Sequence, residues 1–276
     1  MAIVRLVIPH RNTPELLLRC LETLAGATTT PIHEVVVVDD ASSEPLPELS
    51  PGTWHSTAIA LPRRVGFTGA VNAGLRHVLS EGADFIGILN SDLEFVHEGE
   101  ADWLSLCTES LEADHSDAPG KRNAIVSPML VGADGDTIQW AGEATTLTAP
   151  AQHRSGSRRA GDCGKRSFVR WHTFGCVVIR WDALREVGLL DPNLRMICSD
   201  SDWCLRARWF GWRCVYEPAA VVKHVQSQTI QREREKDAVR FDGQLFQDQQ
   251  LFLSKWTGRA FQSLDMGPIE QWLEPL

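Results

Sequence analysis

Residues 34–40 read Glu-Val-Val-Val-Val-Asp-Asp. Four β-branched residues in succession have no polar alternate, so a strand made of them is apolar on both faces and needs cover on both sides. The flanking sequence supplies that cover. "AIVRLVIP" is a short apolar run stopped by Pro9, and "TPELLLRCLETLAG" follows with Thr13 at the N-cap position and Pro14 at the first helical position. "STAIAL" predicts another strand, "FTGAVNAGLRHVLSEG" a helix closed by Gly82, and "DFIGILN" a fourth strand. Strands alternating with helices predict an α/β fold: a Rossmann-like, mostly parallel central sheet flanked by helices. In open sheets of this type ligands sit beyond the carboxyl ends of the strands. The polar clusters "PHRN", "DDAS" and "NSD" all fall there.

Regularity declines further on. Residues 143–168 lack apolar periodicity and are rich in Gly, Ser, Ala and Arg, which predicts a long functional or disordered loop. Its Arg154, Arg158, Arg159, Lys165 and Arg166 form a basic run that reads either as a closing segment over a diphosphate or as a solvated linker. Order returns with "GCVVIRWDALREVGLLD", with a helix from about Asp200 to Phe210 stopped by Gly211, and with the strand in "WRCVYEPAAVVKH". The tail from Ile230 to Trp256 has helical charge spacing.

A net charge of -9 excludes a general nucleic-acid binder, which needs a basic face. The seven cysteines show no C-x-x-C and no zinc-site spacing, so they read as free thiols of a cytoplasmic protein. No signal peptide and no membrane-length apolar run is expected; peripheral contact with the inner face of a membrane is left open.

Several side chains carry chemistry by type and place. Asp40 ends the valine strand, where a carboxylate can accept from a ribose or a base N–H or simply make an Asx-turn. Gly66 and Gly69 precede a helix and let backbone approach a ligand, although the spacing is neither G-x-G-x-x-G nor a P-loop. Asp92, just past a buried strand, offers a hard oxygen for Mg2+ or Mn2+, and His224 a nitrogen. Asp200 stands at a helix N-terminus either as its cap or as an ionised general base. Asp202 and Arg206, four apart, predict an ion pair on one helix face. Trp203, Trp209 and Trp212 read as packing rather than as sugar platforms.

Taken in order, "VIPHRNTPELLLRCLETL", "EVVVVDDAS", "VGFTGAVNAGL", "ILNSDLEF", "GCVVIRWDALREVGLLD", "SDSDWCLRARWFGW" and "HVQS" resemble the family 2 inverting glycosyltransferases of the GT-A fold, particularly the rhamnosyl- and galactofuranosyltransferase-like bacterial members. The resemblance runs from residue 3 to about 230. It implies a GT-A domain over 1–230, with a nucleotide-binding half at 1–97 and an acceptor-binding half at 98–230, and a C-terminal helical extension at 231–276. It implies a nucleotide pocket from Pro9, Asn12, Asp40, Gly66, Phe67, Asn72 and Ser91, a Mn2+ or Mg2+ ion on Asp92 and His224, and Asp200 as general base. Substrate positioning falls to Asn90, Trp140, His172, Gly175, Asp202 and Arg206. The partners implied are a UDP- or dTDP-type sugar donor and a glycan, lipid-linked saccharide or other hydroxyl acceptor. Two departures stand out: Asn90 occupies the first position of the D-x-D metal motif, and Ser199 replaces the usual Glu before the base. These keep two rivals in view, an inactive sugar-nucleotide or glycan-binding module and a nucleotidyltransferase. The latter would carry a Gly-rich basic loop after the first strand, where this chain has "PHRNTPE".

Overall fold

A computed structural model describes residues 2–49, 52–97, 99–113, 122–142, 166–225 and 238–256. The elements in chain order are β1 (Val4–His10), α1 (Pro14–Ala27), β2 (Glu34–Asp39), β3 (His55–Ala60), α2 (Gly66–Glu81), β4 (Phe85–Leu89), β5 (Leu93–Phe95) and α3 (Trp103–Glu112). They continue with β6 (Asn123–Val131), β7 (Ile138–Trp140), β8 (Ser167–Val169), β9 (Cys176–Arg180), α4 (Trp181–Val187), α5 (Ser199–Trp209), β10 (Arg213–His224) and α6 (Ala238–Trp256).

All the described strands share one sheet, ordered β3-β2-β1-β4-β9-β6-β10-β5, with β7 added on β6 and β8 on β10. The valine strand is covered on both faces as its composition requires: Val35 through Val38 are at most 1% exposed. Each contributes about 1.5–3 kcal/mol of burial. β1, β2, β3 and β4 are parallel, and β10 is parallel to β6. β9 runs antiparallel between β4 and β6, although "CVVI" is as continuously apolar as the valine strand. A continuous apolar run reports burial on both faces, which either direction satisfies.

The helices follow from their sequences. α1 starts with Pro14 and buries Leu17, Cys20, Leu21 and Leu24, a stripe at helical spacing. Thr13 occupies its N-cap position without a side-chain capping bond. α2 lies so close to the sheet that a Cβ on Gly74 would sit 2.3 Å from Val7 Cγ1. In the stretch 143–168, residues 143–165 fall outside the described residues, and Ser167–Val169 form β8 against β10 rather than loop. Arg154, Arg158, Arg159 and Lys165 of the basic run lie outside the described residues too; Arg166 is engaged with buried Glu217 at 2.6 Å. No helix among the described residues is long and apolar enough to cross a membrane. The six cysteines among the described residues are free and buried.

α6 joins the main body. Phe252 and Trp256 enter the principal core, and Trp256 Nε1 donates to Asp202 Oδ1 at 2.8 Å. The ion pair expected from the i, i+4 spacing is formed, with Arg206 Nε 2.8 Å from Asp202 Oδ2, and Lys255 Nζ adds a second cation at 2.6 Å. Arg206 also donates to the carbonyls of Val187 (2.7 Å) and Leu189 (2.8 Å), so α5, α4 and α6 are tied at one fully buried carboxylate.

Asp202→Asn leaves Arg206 without its counter-charge, whereas Lys255 keeps Asp191 at 2.8 Å, and the two side chains are 21% and 32% exposed and can be rehydrated. Its cost in urea unfolding is therefore expected near 2 kcal/mol, below the roughly 3–5 kcal/mol of a fully buried broken pair. His10 and His172 are buried, and burial is the main cause that lowers their pKa from 6.5 to about 4 and about 3. Below pH 6.5 the unfolded chain takes up protons that the fold refuses, so stability is lost as pH falls from 6.5 towards 4. Thermal melts of wild type are expected to drop between pH 7.5 and 5 more than those of a His10→Leu, His172→Phe variant; equal drops would show that the two imidazoles are not the cause.

Candidate active site

The nucleotide end of the sheet is built on Asp40. Its carboxylate, 5% exposed, accepts from the backbone N–H groups of Val65 (2.6 Å) and Gly66 (2.9 Å) at the start of α2. Burial raises its pKa, opposed by those two bonds. Gly66 has φ +83, and a Cβ there would come 2.8 Å from the Arg195 carbonyl oxygen, so conformation and space both demand glycine. Asn12, in the left-handed region at φ 55, knits the loops after β1 and β2: its N–H donates to Ser42 Oγ (2.9 Å) and its Oδ1 accepts from Ser43 N–H (2.7 Å). Pro9 pairs with Val38 at the end of β1, and half-buried Phe67 packs against the core. Asn72 is used differently from the pocket-lining role inferred from sequence. Its Nδ2 donates to Leu190 O (2.9 Å) and its Oδ1 accepts from Leu190 N–H (3.0 Å), so both ends of the amide are spent bracing α2 against the segment after α4.

Beyond β4, Ser91 and Asp92 form a turn, both nearly buried. Asp92 Oδ1 lies 3.2 Å from His224 Nε2, at the end of β10. The antiparallel register of β10 with β5, which pairs His224 with Leu93, brings these distant residues together. His224 Nδ1 is 2.8 Å from Gln139 Oε1, and Gln139 Nε2 donates to the His224 carbonyl at 2.9 Å. A histidine whose Nδ1–H is held by an amide oxygen keeps its Nε2 lone pair for another partner. Gln139 was not legible in the sequence, because only the pairing of β7 with β6 beside β10 aims it at the ring.

The donor set suits a hard divalent ion. Asp92 Oδ1 and His224 Nε2, 3.2 Å apart, are close enough that both would reach one such ion. One carboxylate and one imidazole make an incomplete shell, which leaves room for substrate oxygens; among the described residues no group of three or more His, Cys, Asp or Glu supplies a full one. Asn90 Nδ2 is 3.4 Å from His224 Nε2, so the residue in the first motif position borders the pair.

Asn90 also connects this corner to Asp200. Its N–H donates to Gly175 O at 2.8 Å, and the adjacent Phe174 backbone N–H bonds the Asp200 carboxylate. α5 begins at Ser199 behind Cys198, which holds φ 64, so Asp200 stands in the first turn and is not the cap. Its carboxylate accepts from Ser201 N–H at 2.7 Å. Burial outweighs these bonds and raises its pKa to about 6, so the helix N-terminus does not by itself keep this carboxylate at an ordinary value.

Of the remaining substrate-positioning candidates, Gly175 borders the site and the other four are engaged elsewhere. Trp140 and His172 are fully buried, their rings 6.2 Å apart, and Trp171 packs 5.1 Å from Trp140 at a tilt of 46°, which makes the group a packing cluster. Asp202 and Arg206 serve the α4–α5–α6 junction described above. Gly175 lies against Asn90, where a Cβ would be 3.6 Å from Nδ2. Trp203 and Trp212 are packed with their N–H groups bonded to Gly188 O and Glu186 Oε2, whereas Trp209 is 43% exposed, contrary to the packing role read from sequence. A cavity of about 350 Å3 lined by Asn72, Arg76, Leu190, Asp191, Arg206 and Lys255 contains none of Asp40, Asp92, Asp200 or His224.

The same fold occurs in solved glycosyltransferases. GalNAc-T7 with UDP, GalNAc and Mn2+ aligns at TM-score 0.61 and 15% identity over 98% of this chain and 53% of that one. Mannosyltransferase PcManGT from Pyrobaculum calidifontis, in complex with GDP-Man and Mn2+, aligns at TM-score 0.57 and 18% identity over 89% of this chain and 63% of its own. S. aureus TarS 1-349 in complex with UDP-GlcNAc aligns at 0.53 and 14% identity over 98% and 78%. This chain thus spans about half to two thirds of the length of the first two. Among curated proteins, none matches the sequence. The Glycosyl transferase family 2 model matches residues 6–165, more than half of the chain, and together with the GT-A architecture this establishes that the chain belongs to glycosyl transferase family 2.

Proposed function

We propose that this chain is an inverting, nucleotide-sugar-dependent glycosyltransferase in which Asp200 is the general base. The observation that carries the reading is the state of Asp200: a carboxylate bonded to backbone N–H groups, raised to about 6 by burial, and joined through Phe174 and Gly175 to the Asn90–Asp92 turn and His224. A base near that value is ionised at neutral pH and still basic enough to take a hydroxyl proton. Asp40, at the sheet's carboxyl edge, is the proposed contact for the nucleotide base of a UDP- or dTDP-sugar, with Asn12 and Gly66 shaping the pocket. Residues 1–97 serve as the nucleotide half, 98–230 as the acceptor half and 231–276 as the extension. The reading carries a cytoplasmic setting and an acceptor hydroxyl on a glycan, lipid-linked saccharide or similar molecule.

Asp92 and His224 would hold Mn2+ or Mg2+, with Gln139 fixing the imidazole. That ion supplies Lewis-acid compensation for charge on the leaving diphosphate. Asp200 takes the proton from the acceptor hydroxyl as its oxygen forms the new bond to the anomeric carbon. The bond to the diphosphate oxygen breaks with its electron pair leaving on the nucleoside diphosphate. A single displacement with one base inverts the anomeric centre.

Asp200→Asn keeps the shape and the acceptor for Ser201 N–H but cannot accept the proton. With the UDP-, dTDP- or GDP-sugar that gives the largest thermal shift, turnover is expected to fall about 10²-fold or more, with donor affinity and melting temperature nearly unchanged. In wild type the kcat/KM profile is expected to lose activity as pH falls through about 6, because the protonated carboxyl cannot act as base. A wild-type rate for Asp200→Asn at saturating donor and acceptor would refute the assignment. For the metal, calorimetry of UDP binding is expected to require Mn2+ or Mg2+ in wild type and to lose that requirement in Asp92→Ala. Equally tight wild-type binding in chelator would rule out the ion on this pair.

A further inference from the structure

Asp248, on α6, is 1% exposed and lies 51 residues from the nearest backbone group it binds. One oxygen, Oδ2, accepts from two consecutive backbone N–H groups, Met196 (2.6 Å) and Ile197 (3.0 Å); the other, Oδ1, accepts from Gln244 Nε2 (2.8 Å). Bonds to an ionised acceptor are among the strong ones. The segment they hold is fixed from the opposite side by α2: Thr68 N–H donates to Arg195 O at 3.2 Å, and the Thr68 hydroxyl donates to Leu194 O. Immediately afterwards Cys198 takes a left-handed backbone at φ 64, a conformation a non-glycine residue keeps only where its neighbours impose it. The next residues are Ser199 and Asp200. The path of the chain into α5, and with it the direction of the Asp200 carboxylate, is thus set between Thr68 on the nucleotide side and Asp248 on the C-terminal helix.

We propose that Asp248 is a positioning residue for the transfer reaction: from α6 it clamps Met196 and Ile197 so that the Asp200 carboxylate is held against Phe174 and Ser201. This rests on Asp200 being the base. It gives the C-terminal helix, which lies beyond the residues matched by the family model, a part in catalysis without contact to substrate.

The clamp has a signature distinct from ordinary stability. At Asp200, burial is opposed by bonds from the N–H groups of Ser201, Asp200 itself and Phe174. The titratable neighbours are the thiols of Cys198 and Cys204, both pushed up by burial; Asp202 and Asp248 act on Cys198 as well. Asp200 is partly exposed in the clamped arrangement, and releasing the clamp lets more water reach its carboxylate and returns it towards the ordinary carboxylate value of 3.8. Asp248→Ala removes both charge and clamp. Asp248→Asn removes the charge but keeps an oxygen that accepts the same two N–H bonds.

The test is a carboxyl 13C NMR titration of the whole chain, with the Asp200 resonance assigned by its loss in Asp200→Asn. Wild type and Asp248→Asn are expected to titrate near 6 and Asp248→Ala at least about one pH unit lower. In Asp248→Ala, kcat is expected to fall about tenfold with the acid limb of its pH profile displaced equally, while donor KM stays within about twofold. Gln244→Ala, which removes only the bond aligning Asp248, is expected to move the resonance less in the same direction, and decides the matter if Asp248→Ala does not fold. An Asp200 resonance still near 6 in Asp248→Ala, or unmoved in Gln244→Ala when Asp248→Ala is unfolded, overturns the proposal. So does an Asp248→Asn that follows Asp248→Ala, since charge alone would then be the cause. Wild-type turnover in Asp200→Asn would instead remove the base assignment, with the titration still reporting whether Asp248 holds the segment.

Discussion

The pairing of β9 with β4 is the constraint on which the rest of the site depends. β4 is the last strand of the parallel half, and its end delivers Asn90, Ser91 and Asp92. β9 lies antiparallel beside it, with Cys176 opposite Leu89, so the residues entering β9 meet those leaving β4. The Asn90 N–H to Gly175 O bond is the next step of that ladder. Because Phe174 precedes Gly175 and bonds Asp200, one antiparallel register joins the diphosphate corner to the base. A parallel strand in the same place would enter from the opposite end of the sheet and leave Asp200 without this link.

Within α5 two carboxylates two residues apart are put to opposite uses by their surroundings. Asp202 faces inward, gives one oxygen to Arg206 and the other to Trp256 and Lys255, and holds three helices together. Among the described residues Asp200 takes backbone N–H partners and the Ser201 side chain, and burial makes its proton harder to lose. A carboxylate surrounded by cations would be a poorer base, and one in open water would be less selective about what it deprotonates. The division follows from helical geometry, which turns positions two apart to different sides.

The polar groups at the sheet's edge are pre-organised by hydrogen bonds to neighbouring loops and helix starts. Asp40 is held by the first N–H groups of α2, and Asn12 by the loop after β2. His224 is clamped at ring and carbonyl by Gln139. Rigid edges of this kind present their remaining lone pairs without reorganising when a ligand arrives, which favours binding and catalysis alike.

Local physics made much of this chain legible in advance. The double-faced burial of Val35–Val38, the start of α1 at Pro14, the ends of α2 and α5 at glycine, and the Asp202–Arg206 pair all depend on neighbours within a turn or on the covering of one strand. So does the family assignment, carried by motifs at the strand ends. What the residues do with their polar atoms was decided by tertiary structure. Asn72 had the composition of a pocket residue but found Leu190, 118 positions away. Trp140 and His172 could face a sugar or each other, and the core took them. The direction of β9, the hold of Gln139 on His224 across 85 positions and the reach of Asp248 to Met196 across 52 leave no periodicity in sequence. Each is a pairing between distant segments, and only the closure of the sheet and the docking of α6 bring the partners within hydrogen-bond range.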